Sequence, residues 1–410
     1  MTFMVYLTSL LQALSMALEL STGGLSRHHW RTALIGDRLA EHLALPFEQR
    51  RTLLHSSLLH DIGAASNWNE KNSLQTNIAL TDYYLHAQRG YDLLKNSSKL
   101  HDLAIPIRHH HDFWDGSTPS GLSSYKIPLI SRIINLADAF EVLLKDNIYI
   151  LDQCPQVLST LTKLSGIKFD PELVEALHEI ARQEGFWLDL TNSYYYEFFF
   201  ESIKNYGKTR LSIDDVLDIA DIFSTIIDRT SQFTATHSRS VSTVSALLAE
   251  TNNYSTSEVN LIRIAGLLHD LGKLAVPNAI LEKPGKLTAY EYSLIKQHPY
   301  YTHRILNQIE GFDIIAEWAA YHHETPDGQG YPFRLNHNNL RLGSRIVAVA
   351  DVFVALTEHR PYRQGLSFRQ VQKIMGDMVN NNKLDGELVN QLWLNKNLLT
   401  EISYNKSSLA

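Results

Sequence analysis

Residues 267–273 read Leu267-Leu268-His269-Asp270-Leu271-Gly272-Lys273, and residues 58–64 read Leu58-Leu59-His60-Asp61-Ile62-Gly63-Ala64. An adjacent His-Asp pair closing an apolar run is expensive to bury unless its polar atoms find partners. Imidazole and carboxylate together form a ligand set for divalent metals. The stretch therefore predicts a metal-bearing helix end, and the chain carries it twice. Only the second copy follows the pair with a lysine, which points to one working site and one retired site.

The repetition extends outward from that pair. His28 lies 32 residues before His60, and His237 lies 32 residues before His269. His86 matches His298. His110-His111-Asp112 precedes Asp115-Gly116, as His322-His323-Glu324 precedes Asp327-Gly328. Ser131-Arg132 leads to Ala137-Asp138, as Ser344-Arg345 leads to Ala350-Asp351. The order is kept throughout. Two domains are expected, 1–205 and 206–410, with the boundary within 200–214. The aromatic stretch Asn192–Phe200 is expected to pack between the halves.

Composition bounds the rest. A chain of 410 residues can bury two or three ordinary cores. The net charge of −7 does not favour an anionic partner across the whole surface, so nucleotide binding must rest on local cations and DNA is not expected as a partner. The single cysteine, Cys154, rules out a disulfide framework and fits a reducing, cytoplasmic setting. Phe3 to Leu20 is apolar, but it lacks a basic leader and is interrupted by Ser9, Gln12, Ser15 and Glu19. It matches Ile219–Thr230 of the second half, so it reads as the first helix of a domain and not as a membrane span.

Local signals are helical. Ser255-x-x-Glu258 is a capping box, and Val259, Ile262, Ala265 and His269 follow at helical steps. Gly272 is expected to end that helix in a left-handed conformation. Thr288-x-x-Glu291 opens a second helix, expected to run to His298 and stop at Pro299. Further helices are expected over Asp313–His323 and Arg341–Leu356. Alternating strand patterns are scarce, so the fold class is all-α, as two helical bundles.

In the second half the candidate ligands are His237, His269, Asp270, His298, His322, His323 and Asp351. Five histidines and two carboxylates exceed what one first-row metal needs, and they suit two metals bridged by Asp270. Metals roughly 3.5–4 Å apart can ready a water for in-line attack on phosphorus. Mixed imidazole and carboxylate ligation favours iron, manganese, nickel or zinc over calcium or magnesium. Lys273 is placed to contact a scissile phosphate or protonate a leaving oxygen. Gly328 and Gly330 permit close approach of a ligand, and Tyr331 can stack on a base. Arg360 and Arg363 supply guanidinium groups that match phosphate or guanine.

The run His269-Asp270-x-Gly272-Lys273, then His322-His323-Glu324-x-x-Asp327-Gly328-x-Gly330-Tyr331-Pro332, then Ala350-Asp351-x-Phe353, resembles the HD-GYP branch of the HD metal-dependent phosphohydrolases. The match covers roughly residues 214–400. The resemblance implies a helical bundle with a two- or three-metal centre, and hydrolysis of cyclic di-GMP or 3',3'-cyclic GMP-AMP to a linear dinucleotide. It implies metal ligation by the seven residues named, phosphate contact by Lys273, and substrate contacts from Tyr331, Arg360 and Arg363. Three-metal members carry a glutamate four residues before the first histidine. Here Phe233 stands there, so two metals are expected. The family often places an aspartate where this chain has Val354, and losing that acceptor for a guanine edge makes a mixed guanine-adenine substrate the better fit. The first half keeps His28, His60, Asp61, His86, His110, His111 and Asp138 but has Ala64 for the lysine and Ser117-Thr118-Pro119 near the place of the loop. It resembles a degenerate HD domain with a regulatory or dimerising role. Two rivals stand beside this reading: a non-catalytic sensor of metal or cyclic dinucleotide, and an HD phosphohydrolase acting on another nucleotide.

Overall fold

A computed structural model describes residues 4–20, 27–64, 80–204, 209–230, 236–358 and 364–395. The architecture is helical. Among the described residues the only strand pairing is a two-residue ladder, Val5–Tyr6 with Arg210–Leu211. One compact unit spans Tyr6–Arg210; the other comprises Met1–Val5 and Leu211–Ala410. The all-α expectation of two tandem bundles is borne out.

Among the described residues, six helices build the part of each unit that gathers the histidines, in the same order. In the first unit they are α1 (Leu7–Leu20), α2 (His28–His42), α3 (Phe47–Leu59), α4 (Leu80–Leu94), α5 (His101–Arg108) and α6 (Leu129–Val142). In the second they are α7 (Ile213–Asp228), α8 (His237–Thr251), α9 (Thr256–Leu268), α10 (His298–Leu306), α11 (Asp313–Ala320) and α12 (Leu342–Thr357). Among the described residues no helix is long and apolar enough to cross a membrane.

The second bundle starts on capped helices. Ser212 accepts from the Asp215 amide while Asp215 accepts from Ser212, and Ser255 with Glu258 repeats the device at α9. Each box satisfies amides that a helix start leaves unpaired. α9 lies at the centre, packed against α7, α8 and α11. Ile219, Phe223, Val241, Ile262, Ala265, Ile315 and Val347 are all buried. Burial of such a side chain contributes ~1.5–3 kcal/mol, so this core fixes the ends of α9, α11 and α12, where the polar residues sit. The first bundle is built alike on Leu14, Leu34, Ile35, Leu58, Ile134 and Phe140.

Two local expectations are corrected. Pro299 does not end a helix; the second capped helix is Ala289–Ile295, and Pro299 sits in the first turn of α10, where a missing N–H costs nothing. Gly272 is not left-handed; it lies in a 3₁₀ turn, Leu271–Ala275. Its role is steric, since a Cβ there would sit 1.9 Å from the His298 carbonyl oxygen. The aromatic stretch forms the helix Ser193–Lys204, and its Tyr196 and Phe200 pack on Trp30 of their own unit.

Candidate metal centre

The second bundle brings its seven predicted ligands to one place. His269 caps α9, and its Nδ1–H donates to the Gly266 carbonyl over 2.8 Å. His298 Nδ1 donates to the Ile295 carbonyl over 2.7 Å, and His322 Nδ1 to the Ala319 carbonyl over 2.7 Å. A carbonyl only accepts, so each Nδ1 carries the proton and each Nε2 presents a lone pair. Those Nε2 atoms point inward together. His298 Nε2 and His322 Nε2 are 3.3 Å apart. Two facing lone pairs at that distance repel unless a cation stands between them.

The carboxylates divide the imidazoles into two groups. Asp270 Oδ2 is 3.2 Å from His269 Nε2, while its Oδ1 is 3.3 Å from His298 Nε2 and 3.9 Å from His322 Nε2. Asp351 Oδ1 is 3.1 Å from His237 Nε2 and 3.8 Å from His269 Nε2. Ligand atoms of His237, His269 and Asp351 fall within 4.8 Å of one another, as do those of His298, His322 and His323. Asp270 lies between these triads with one oxygen toward each. His269 Nε2 and Asp270 Oδ1 are buried without a hydrogen-bond partner. Orphaned buried polar atoms demand an explanation, and divalent metals fit this donor set.

The surroundings tune these groups. Burial opposes ionisation of Asp270, yet His269 and the Lys273 ammonium hold its carboxyl well below the usual range. Lys273 Nζ lies 2.5 Å from Asp270 Oδ2. Burial drives His323 down to about 3, so it is neutral near pH 7. His237 goes the other way: burial opposes its charge, but hydrogen bonds to Asp351 and Glu358 raise it to about 9.

Tyr331 stacks on the His323 ring at 4.8 Å and 24°. Its loop is held by Glu324, whose two oxygens accept from the amides of Phe333 (2.6 Å) and Leu335 (3.0 Å). Gly330 allows this loop to close on its own backbone, because a Cβ would lie 2.4 Å from Glu324 Cα. That close approach is to protein, where the sequence suggested a ligand. Lys296 places its ammonium 5.6 Å from the Tyr331 ring and 4.7 Å from that of Tyr292. Val354 is buried. Arg360, Arg363 and Phe233 lie outside the described residues.

Two features escape a reading of the sequence. Glu358 Oε2 lies 3.1 Å from His237 Nδ1 and turns its Nε2 toward Asp351. In the first bundle Glu141 does the same for His28. The offsets hide the pair, since Glu358 follows Asp351 by seven residues and Glu141 follows Asp138 by three. Both offsets return to one helix face. The second is Thr302, whose hydroxyl donates to the His269 carbonyl (3.1 Å) and accepts from the Gly272 amide (2.9 Å), tying the end of α9 to α10.

Known proteins give these observations a family. One family model, described as "HD domain", matches residues 12–173 and again 221–388. The 3'3'-cGAMP-specific phosphodiesterase 1 of Vibrio cholerae is 30% identical over 87% of this chain and 84% of its own length. The cyclic di-GMP phosphodiesterase PA4108 of Pseudomonas aeruginosa is 38% identical over 36% of each chain. A crystal structure of a cyclic GMP-AMP specific phosphodiesterase of V. cholerae, V-cGAP3, superposes with a TM-score of 0.68 at 26% identity, covering 96% of this chain and 98% of that one. The chain, matched once in each half and bearing the HD-GYP motif in the second, belongs to the HD domain family.

Proposed function

We propose that this chain is a metal-dependent phosphodiesterase that opens a cyclic dinucleotide to its linear form. The supporting observation is the pair of ligand triads around Asp270, with Lys273 and Tyr331 at their edge. His237, His269, Asp270, His298, His322, His323 and Asp351 are the proposed ligands of two divalent transition metals, with iron or manganese the best match and nickel or zinc also suited. When bound, such metals supply an activated water near neutral pH and stabilise charge at phosphorus.

The chain's own residues do the rest. The Nδ1-to-carbonyl hydrogen bonds hold the imidazoles in one tautomer, so their donor atoms need no reorganisation. Lys273 offers an ammonium to a non-bridging phosphoryl oxygen and a proton to the departing ribose oxygen. Tyr331 presents a ring face for a base. Arg360 and Arg363 are assigned to phosphate or guanine contacts. With valine at position 354, one guanine acceptor is missing, and a contact of that kind is worth ~1–3 kcal/mol. That favours 3',3'-cyclic GMP-AMP over cyclic di-GMP, in keeping with the name of the Vibrio relative aligned over most of the chain. The enzyme is proposed to be cytoplasmic, and its first bundle, with Ala64 in place of the lysine, to be non-hydrolytic and regulatory.

The test is direct. Purified protein loaded with Mn²⁺, or with Fe²⁺ without oxygen, is incubated with 3',3'-cyclic GMP-AMP, cyclic di-GMP and a nucleoside triphosphate. Linear dinucleotide is expected from the first, with less from the second. Intact cyclic dinucleotides in the presence of confirmed bound metal would refute the proposal.

A further inference from the structure

We infer that the first bundle is a metal centre in its own right, with a ligand set of its own that includes His29. The first bundle holds clustered donor groups of its own. His60 Nδ1 donates to the Ser57 carbonyl over 2.8 Å and His110 Nδ1 to the Ile107 carbonyl over 2.6 Å, so both Nε2 atoms present lone pairs. Around them the imidazoles crowd. His28 Nε2 is 3.1 Å from His60 Nε2, and His86 Nε2 is 3.3 Å from His110 Nε2 and 3.1 Å from His111 Nε2. Asp61 spans the groups as Asp270 does, with Oδ1 3.3 Å from His86 and Oδ2 3.5 Å from His60. Donor atoms of Asp61, His86, His110 and His111 lie within 4.8 Å of one another, and those of His28, His60 and Asp138 form a second such group.

His29 has no counterpart as a ligand in the second bundle. Its equivalent there is Ser238, whose amide and hydroxyl both donate to Asp228. In the first bundle both partners differ. Glu19 replaces the aspartate and accepts from the His29 amide over 2.8 Å, and the same oxygen lies 3.3 Å from His29 Nδ1. A carboxylate facing Nδ1 places the proton there and leaves Nε2 as a donor to metal. That Nε2 is buried and without a hydrogen-bond partner, in a residue only 2% exposed. A ring nitrogen of His29 lies within 4.8 Å of donor atoms of His60 and Asp61. Where the second bundle has a serine, the first has an oriented imidazole, and its supporting carboxylate is longer by the methylene that reaches the ring.

The change on the other side is equally specific. Ala64 is fully buried where Lys273 would place an ammonium. Asp61 is thus spared the ion pair that Asp270 makes, and its charge is available to a metal. A histidine-rich set suits nickel, zinc, cobalt or iron better than magnesium or calcium. The assigned role is metal binding without phosphate hydrolysis.

Co²⁺ is the probe, because its visible absorption reports the ligands around it. The full chain is stripped with chelator and dialysed against Co²⁺, and bound metal is counted by mass spectrometry. The Asp270→Ala chain, impaired in the second bundle, is expected to keep Co²⁺. In that background, Asp61→Ala should release it. His29→Ser, which installs the residue of the second bundle, should weaken it by roughly 10- to 100-fold and shift its absorption. Circular dichroism separates ligand loss from unfolding, and the milder His29→Ser decides the matter if Asp61→Ala does not fold. No Co²⁺ in the Asp270→Ala chain, or Co²⁺ whose affinity and spectrum ignore His29→Ser, would overturn the inference.

Discussion

Replacing Gly272 with alanine tests whether the metal centre depends on how closely two backbones meet. Gly272 follows the His-Asp pair by two residues, and its Cα faces the carbonyl of His298. A Cβ there would lie 1.9 Å from that oxygen and 2.8 Å from its carbon, whereas real Cβ atoms essentially never approach within 3.0 Å. The chain must therefore open by at least about 1 Å, and both contacts are backbone, so no side-chain rotation relieves them. The residue is not in the left-handed region, so the penalty is contact alone and not dihedral strain.

The consequence follows from what the two segments carry. His298 Nε2 stands 3.3 Å from Asp270 Oδ1. Separating the 3₁₀ turn from α10 separates these ligands by a similar distance. Overpacking of this kind costs ~1–3 kcal/mol of stability, and a 1 Å misplacement at a reacting centre costs on the order of 10²-fold in turnover. Gly272→Ala is expected to fold, to lose metal from the second bundle, and to lose turnover by that factor. Metal analysis, urea denaturation and steady-state kinetics read the three effects. Metal content and turnover within twofold of the parent would refute the reasoning. Gly63→Ala is the matched variant, since its Cβ would lie 2.0 Å from the His86 carbonyl, and it should strip metal from the first bundle.

Three further outcomes are expected. Lys273→Ala removes the ammonium beside Asp270 without removing a donor atom, so metal content should not fall while turnover drops by ~10²–10³-fold; loss of metal would end the assigned role. Glu358→Gln keeps the shape behind His237 but removes the charge, and dialysis should read a loss of metal affinity of roughly 10- to 100-fold. The third is a pH dependence. Burial opposes the charge on His237, but Asp351 and Glu358 raise it from 6.5 to about 9. A raised folded value means that the protonated ring stabilises the metal-free protein fully below about pH 6.5, by on the order of 3 kcal/mol, and that this is lost as pH rises through about 9. Metal must displace that proton, so affinity should rise about tenfold per pH unit from 7 toward 9. A metal titration with flat affinity over that range would exclude it.

Much of this was legible in the sequence for identifiable reasons. Capping boxes at Ser255 and Thr288 act within one turn, so they could be read locally. The seven proposed ligands of the second half could be picked out because their chemistry is repeated in order by the first half, and the structure gathers them in one place. What was missed depends on tertiary distance or on difference. Gly272 carries a capping signature, but its constraint comes from α10, 26 residues downstream. Pro299 is compatible with both the end and the beginning of a helix, and the fold chose the latter. Glu141 and Glu358 perform one task from unequal offsets. His29 was invisible because a comparison of repeats finds shared residues, and its counterpart is Ser238.

On the proposed reading, metal binding and hydrolysis rest on different parts of this architecture. The cradle depends on helix ends: His60, His110, His269, His298 and His322 are each oriented by a carbonyl three residues earlier in the chain, a geometry that any well-formed last turn supplies. It is therefore distributed over many backbone contacts, and it depends on the close approach of the segments that Gly63 and Gly272 allow. The proposed chemistry rests instead on a few side chains that the fold does not require, Lys273 and the Tyr331 loop above all. On the proposed reading, a substitution at the lysine position is expected to remove hydrolysis while leaving the donor atoms in place, because Lys273 pairs with Asp270 and is not itself one of the proposed ligands. The inferred metal site of the first bundle follows the same division, since it keeps the oriented imidazoles, has Ala64 at the lysine position, and adds the pairing of Glu19 with His29 as support for a further donor.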